Sequence, residues 1–221
     1  MLEELVSRRL TGEPLAWITG ATEFCGLQIA VDPGVYVPRW HTERLAERAA
    51  ELLPDGGAAI DVCTGSGAVA AVLQARRPAA RVMATDLDEA SVACARRNGV
   101  EAYLGDLFGA VPAELAGRTF VIVAVPPYVP TRELPLLQRD TLTFESPTAY
   151  DGGPDGTDVL RRVLAESPRF LRPGGTVLLE LGGRQPDVLE PELGRLGYTG
   201  IRLITDEDGQ LRGLEARSSS R

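Results

Sequence analysis

Lysine is absent from this chain. All 23 basic residues are arginines, set against 31 acidic residues and one histidine, His41, for a net charge of −8. Beside so many Ala, Gly and Pro, the missing lysines fit a GC-rich bacterial coding bias. The deficit of positive charge excludes more. Proteins that grip phosphate backbones take most of their affinity from a basic patch. Paired arginines such as Arg76-Arg77 and Arg96-Arg97 fall instead at helix ends, where cations are expected. No nucleic-acid partner is expected. Long hydrophobic runs are also missing: none reaches the roughly 18 apolar residues of a membrane span. Met1-Leu2-Glu3-Glu4 does not open a signal peptide. The expectation is a cytoplasmic protein with no membrane partner. Cysteine is scarce, and Cys25, Cys63 and Cys94 are odd in number and far apart, which predicts reduced thiols and no metal site.

What is present suits one α/β domain with a small appendage: 221 residues, 44% hydrophobic and 24% charged, enough for a real core. The pattern predicts a short amphipathic helix over 1–10, then a breaker, Thr11-Gly12-Glu13-Pro14. A β-hairpin is expected from the loose alternation over 24–31, turned by Asp32-Pro33-Gly34 into Val35-Tyr36-Val37. Thr42 is a candidate cap for a helix running to Pro54. Strands are then expected at 58–62, 81–85, 100–104, 119–125, 175–181, 198–205 and 210–216, and helices at 67–77, 88–97, 155–167 and 186–196. The stretch 126–154 reads as a long turn-rich loop. Such alternation implies a Rossmann-like, doubly wound α/β fold: a mostly parallel seven-stranded sheet with an antiparallel edge, preceded by a short helix and β-hairpin. The expected division is 1–40 as the N-terminal extension, 41–217 as the main domain and 218–221 as a flexible tail. Exposed edges of the hairpin make a homodimer an option.

Ligands bind such sheets at the carboxyl ends of the strands, so the residues there matter most. The first turn, Asp61-Val62-Cys63-Thr64-Gly65-Ser66-Gly67, ends an apolar run and opens a helix. Gly65-x-Gly67-x-x-Ala70 fits the dinucleotide pattern, in which glycines let a ligand approach bare backbone. Asp86 ends the next strand about twenty residues on, where a carboxylate accepts the hydroxyls of a ribose. Asp61 sits where a nicotinamide pyrophosphate would dislike an anion, whereas an ammonium and a sulfonium would welcome one. The pair Asp61 and Asp86 therefore favours S-adenosylmethionine. Cys63 and Thr64 line the loop, Cys63 as a packed small residue. Asp106, in Gly105-Asp106-Leu107-Phe108, is placed to accept from an adenine amino group. Val125-Pro126-Pro127-Tyr128 ends the fourth strand. Two prolines cannot donate, which leaves carbonyls free to accept from a ligand, and Tyr128 offers a ring face. His41 could take a proton after transfer, or could do nothing at a helix start. Trp40 beside it is a candidate wall for an aromatic acceptor. Glu145, Asp151 and Asp155 read as turn and capping residues of a loop bordering the substrate mouth.

Taken in order, several segments resemble the protein-(glutamine) methyltransferases of peptide-chain release factors, the PrmC/HemK family, from about residue 8 to the end. The likeness rests on 12–20 (GEPLAWITG), 23–27 (EFCGL), Val37-Pro38-Arg39 with Thr42-Glu43, the loop at 61–67, Gly105-Asp106-Leu107-Phe108, Glu145-Ser146-Pro147, 151–156 (DGGPDG), and Glu180 with Gln185. It implies a class I methyltransferase whose S-adenosyl-L-methionine is held by Gly65, Gly67, Asp86 with Leu87, and Asp106 with Leu107. The segment Pro38-Arg39 and Thr42-Glu43 would close one wall.

Two departures bear on the acceptor. The family signature Asn-Pro-Pro-Tyr has Val125 in its first position here. The asparagine accepts a hydrogen bond from the acceptor amide; valine cannot, and losing one such contact costs on the order of a hundredfold in rate. The family also carries a helical N-terminal domain, whereas about ten residues precede Gly12 here. The reading is therefore an S-adenosylmethionine-dependent methyltransferase acting on nitrogen, with Val125, Pro126, Tyr128 and His41 around the acceptor. The acceptor is a protein glutamine amide or a small molecule; a non-catalytic cofactor-binding protein is the remaining alternative.

Overall fold

The computed structural model describes residues 2–137 and 139–219. Two short helices lead, α1 (Leu2–Leu10) and α2 (Leu15–Thr19), followed by the hairpin β1 (Ala21–Phe24) and β2 (Leu27–Ala30). A 3₁₀ turn, Trp40–Thr42, enters α3 (Glu43–Leu52). Then come β3 (Ala58–Val62), α4 (Ala68–Arg76), β4 (Arg81–Asp86), α5 (Glu89–Arg97), β5 (Glu101–Leu104) and β6 (Thr119–Ala124). After α6 (Arg139–Phe144) follow α7 (Asp158–Glu166), β7 (Leu171–Glu180), α8 (Gln185–Arg195), β8 (Tyr198–Thr205) and β9 (Leu211–Ser218). The large sheet has the order β5-β4-β3-β6-β7-β9-β8, parallel from β5 to β7 and antiparallel at β9 and β8. The expected seven strands and antiparallel edge are all found. No helix among the described residues is long and apolar enough to cross a membrane.

The central strands are apolar throughout because helices cover both faces. Leu45, Ala49, Val69, Leu73, Val121, Val123 and Leu178 pack on one side of the sheet, and Ile60, Ile122, Leu160, Leu164, Leu179 and Leu189 on the other. Asp88 caps α5 by accepting from the Ser91 amide at 3.0 Å.

The hairpin differs from expectation. Its turn is Cys25-Gly26, with φ of 50° and 78°, and Phe24 pairs with Leu27. Positive φ at both central residues gives the backbone twist a two-residue hairpin needs. Residues 31–37 do not pair back; Val31, Val35 and Val37 bury beside Trp17 and Cys94 instead. Thr42 is no side-chain cap: it lies inside the 3₁₀ turn with helical φ and ψ, its hydroxyl buried without a partner. The stretch 126–154 is not all loop. It contains 3₁₀ turns and α6, whose Phe144 meets Trp17 edge-on at 6.3 Å. β7 starts four residues early through Pro173-Gly174-Gly175, its pairing with β6 slipping between Thr119 and Val121. β9 runs through Ser218, so of the expected tail Ser220 and Arg221 lie outside the described residues.

The hairpin is tied into the main core. Phe24 and Ile29 pack with α3 and α4 residues, and the Cys25 amide donates to Glu43 Oε1 at 3.0 Å. Asn98 bridges further: its amide group donates to the carbonyls of Ala30 and Ser66 and accepts from the Ala30 amide.

Candidate active site

Asp61, Asp86, Asp106 and Val125 lie at the carboxyl ends of β3, β4, β5 and β6, or just beyond them, so one crevice edge receives all four. Asp61 is buried. Its Oδ2 accepts from the Thr64 hydroxyl at 2.6 Å and the Ala70 amide at 3.2 Å, while Oδ1 is buried with no partner. Burial, with Asp86 nearby, pushes its carboxyl up to about 7. A cation at Oδ1 would reverse that shift.

Asp86 braces the turn. Oδ2 accepts from the Gly65 amide at 2.8 Å and Oδ1 from the Asp88 amide at 2.9 Å; burial raises its carboxyl also. The two glycines do different work. Around Gly65 (φ 55°) a Cβ would meet only Tyr36 Cβ at 4.0 Å, so this residue leaves bare backbone on the crevice. At Gly67 (φ 81°) a Cβ would lie 2.9 Å from Ala95 Cβ, so close packing on α5, not ligand approach, demands glycine there. Cys63 has φ of 57°, and burial followed by Asp86 pushes its thiol up, away from reactivity.

Leu87 stands exposed beside Asp86. The Leu107 side chain is buried in the core, its φ is 47°, and its carbonyl accepts from the Thr85 hydroxyl at 2.6 Å. It therefore offers the crevice backbone only. The Asp106 carboxylate is engaged by Arg162 at 2.9 Å, a partner that sequence reasoning did not supply.

The acceptor side lies next along the sheet, since Val62 of β3 pairs with Ala124 of β6. Val125 is half-buried, Pro126 is buried, and the Tyr128 hydroxyl donates to Glu180 Oε1 at 3.0 Å. His41 Nε2 is 3.3 Å from the same oxygen. Gln185 donates to the Tyr128 carbonyl at 2.6 Å, fixing the residue from below. Trp40 is largely exposed, with the Arg212 guanidinium 5.2 Å from its ring centre.

Two groups emerge that the sequence reading did not assign to the site. Glu180 ends the apolar run Val177-Leu178-Leu179, and a charge closing a buried strand is the signal that could have found it. Glu145, read as a turn residue, is buried: Oε1 accepts from the Val37 amide at 2.9 Å, and Oε2 meets both Arg39 and the Tyr150 hydroxyl. The wall segment and the 126–154 stretch are thereby joined. Asp151 and Asp155 are turn residues, accepting from the Gly153 and Thr157 amides.

No protein-family model matches the chain. It is 36% identical over 211 residues to the release factor glutamine methyltransferase of Geobacter sulfurreducens, covering 93% of this chain and 73% of that one. Among solved structures, the release factor-specific protein-(glutamine-N5) methyltransferase of Alicyclobacillus acidocaldarius matches with a TM-score of 0.52 and 29% identity, over 83% of this chain and 94% of that one. A T. thermophilus 16S rRNA methyltransferase in complex with AdoMet and guanosine shares the fold, with a TM-score of 0.59 and 19% identity over 91% of this chain and 45% of that one. A bare glycine backbone, a buried carboxylate oxygen with no hydrogen-bond donor and a braced second carboxylate fit S-adenosylmethionine. The chain belongs to the release factor glutamine methyltransferases, S-adenosylmethionine-dependent enzymes of class I fold.

Proposed function

We propose that this protein methylates the side-chain amide of a glutamine in a release factor. The observation that carries the reading is the adjacency of the two half-sites: β3, bearing the glycine turn, pairs directly with β6, which leads into Val125-Pro126-Pro127-Tyr128. Bound S-adenosylmethionine would supply a methyl group on a cationic sulfonium. Asp61, Cys63, Thr64, Gly65, Gly67, Asp86, Leu87, Asp106 and Leu107 would hold it, Asp61 through Oδ1 and Leu107 through backbone. The carbonyls of Val125 and Pro126 would accept from the glutamine amide, and Tyr128 would wall it. His41 would carry the released proton towards solvent.

Within this reading, residues 1–40 serve as the N-terminal helix and β-hairpin extension and 41–217 as the methyltransferase domain, in the cytoplasm, where Cys25, Cys63 and Cys94 stay unpaired. A net charge of −8 argues against a nucleic-acid partner. A homodimer through the hairpin of β1 and β2 would register in solution light scattering. One observation favours a second reading, transfer to a small-molecule nitrogen: Val125 removes the amide-reading side chain.

Calorimetry with S-adenosylhomocysteine, followed by mass spectrometry of a bacterial release factor after incubation with enzyme and S-adenosylmethionine, tests the function. Cofactor binding with addition of one methyl at a glutamine is the expected result. Cofactor binding with no methylation, in the natural protein and in Val125→Asn alike, would sink it and favour a binding protein.

A further inference from the structure

The register of the sheet places a second polar group where the missing asparagine would have worked. Ala124 of β6 pairs with Leu179 of β7. One step further sets Val125 beside Glu180, on strands about 4.8 Å apart. Paired residues of parallel strands share a face, and Val123 and Leu178, one alternation earlier, pack in the same core beside α3. Glu180 thus ends its strand on the face that Val125 occupies, on the side where His41 leads into α3.

Its carboxylate is unusual in its bonding. The residue is buried, Oε1 receives the Tyr128 hydroxyl and lies near His41, and Oε2 is buried with no partner. A buried carboxylate oxygen without a donor is costly to maintain. The terminal torsion of a glutamate is broad and roughly two-fold. One oxygen can therefore keep Tyr128 while the other turns to a donor arriving at the strand end.

We propose that Glu180 is a catalytic residue that receives the N–H of the acceptor nitrogen, doing from β7 what the family asparagine does from β6. Resting on the methyltransferase reading above, this assigns the group that orients the nitrogen and takes its proton. As the nitrogen lone pair forms its bond to the methyl carbon, the carbon–sulfur bond breaks and its electron pair goes to sulfur. The proton the nitrogen sheds passes to the Glu180 carboxylate. His41, 3.3 Å away and partly exposed, carries it on to solvent. A carboxylate accepts more strongly than an amide, so the group left at this strand end suits the N–H donor.

The test is acceptor binding in the presence of S-adenosylhomocysteine, with a short glutamine-centred peptide as probe, by calorimetry on the natural protein, Glu180→Gln, Val125→Asn and the double variant. S-adenosylhomocysteine affinity serves as the check on folding. Glu180→Gln should weaken the peptide by at least about tenfold with cofactor affinity held, and adding Val125→Asn should recover most of that loss. The single histidine gives a second reading: its NMR signal should move on peptide binding in the natural protein and not in Glu180→Gln. Unchanged peptide affinity in Glu180→Gln would overturn the proposal while leaving the glutamine reading intact. A loss that Val125→Asn cannot recover, together with weakened cofactor, would overturn it in favour of a scaffolding role. Cofactor binding with no peptide binding to the natural protein would remove the glutamine reading and the proposal with it.

Discussion

At the residue scale the two acidic strand ends look alike in sequence and differ in physics. Asp86 is satisfied by two backbone amides, whereas Asp61 keeps one oxygen buried and alone. A carboxyl raised from 3.8 to about 7 by folding binds protons more tightly in the folded state. Its penalty is therefore absent below the unfolded value, grows between about pH 4 and 7, and is complete above. Asp61→Asn should stabilise the ligand-free protein by up to roughly 4 kcal/mol at pH 8 and by less at pH 5, read by urea unfolding at both pH values. The same variant should bind S-adenosylmethionine more weakly. Asp86→Ala frees the Gly65 amide and should weaken S-adenosylhomocysteine at least tenfold by calorimetry; unchanged affinity would remove Asp86 from the site.

At the scale of elements, the strands of the large sheet were legible because apolar runs between glycine and proline punctuation mark them without tertiary help. The hairpin was misplaced because Cys25, a residue that rarely takes positive φ, makes its turn, while Asp32-Pro33-Gly34 carried the stronger local signal. The glycine turn shows the same limit. Sequence spacing assigned Gly65 and Gly67 one role, but only the packing of Gly67 against Ala95 of α5 separates them. Gly67→Ala should cost about 2–4 kcal/mol, from overpacking against Ala95 added to the positive φ, and Gly65→Ala only about 1 kcal/mol. Thermal unfolding of the two variants side by side checks the order.

Across the whole molecule, the N-terminal segment and the 126–154 stretch are locked by Arg39, Glu145 and Tyr150, with Tyr36 and Tyr150 rings 5.6 Å apart. Glu145→Ala leaves the Arg39 guanidinium without its carboxylate and should destabilise by about 2 kcal/mol. It should also open 126–154 to limited proteolysis before the core unfolds. By contrast α1 buries no side chain, so removing residues 1–10 should shift the unfolding midpoint little.

Sequence alone determined the alternation of strands and helices, the glycine turn, the acidic strand ends and the family, since each is written in contiguous residues whose backbone chemistry is local. Tertiary structure decided which of those residues act together. Glu180 and Val125 are 55 positions apart in the chain, and parallel register alone makes them neighbours. Glu145 looked like a turn residue until the amide of Val37 and the guanidinium of Arg39 met it. Register and burial depend on contacts between distant segments, so a local pattern, such as the charge that closes the apolar run before Glu180, can mark a residue but not its partners.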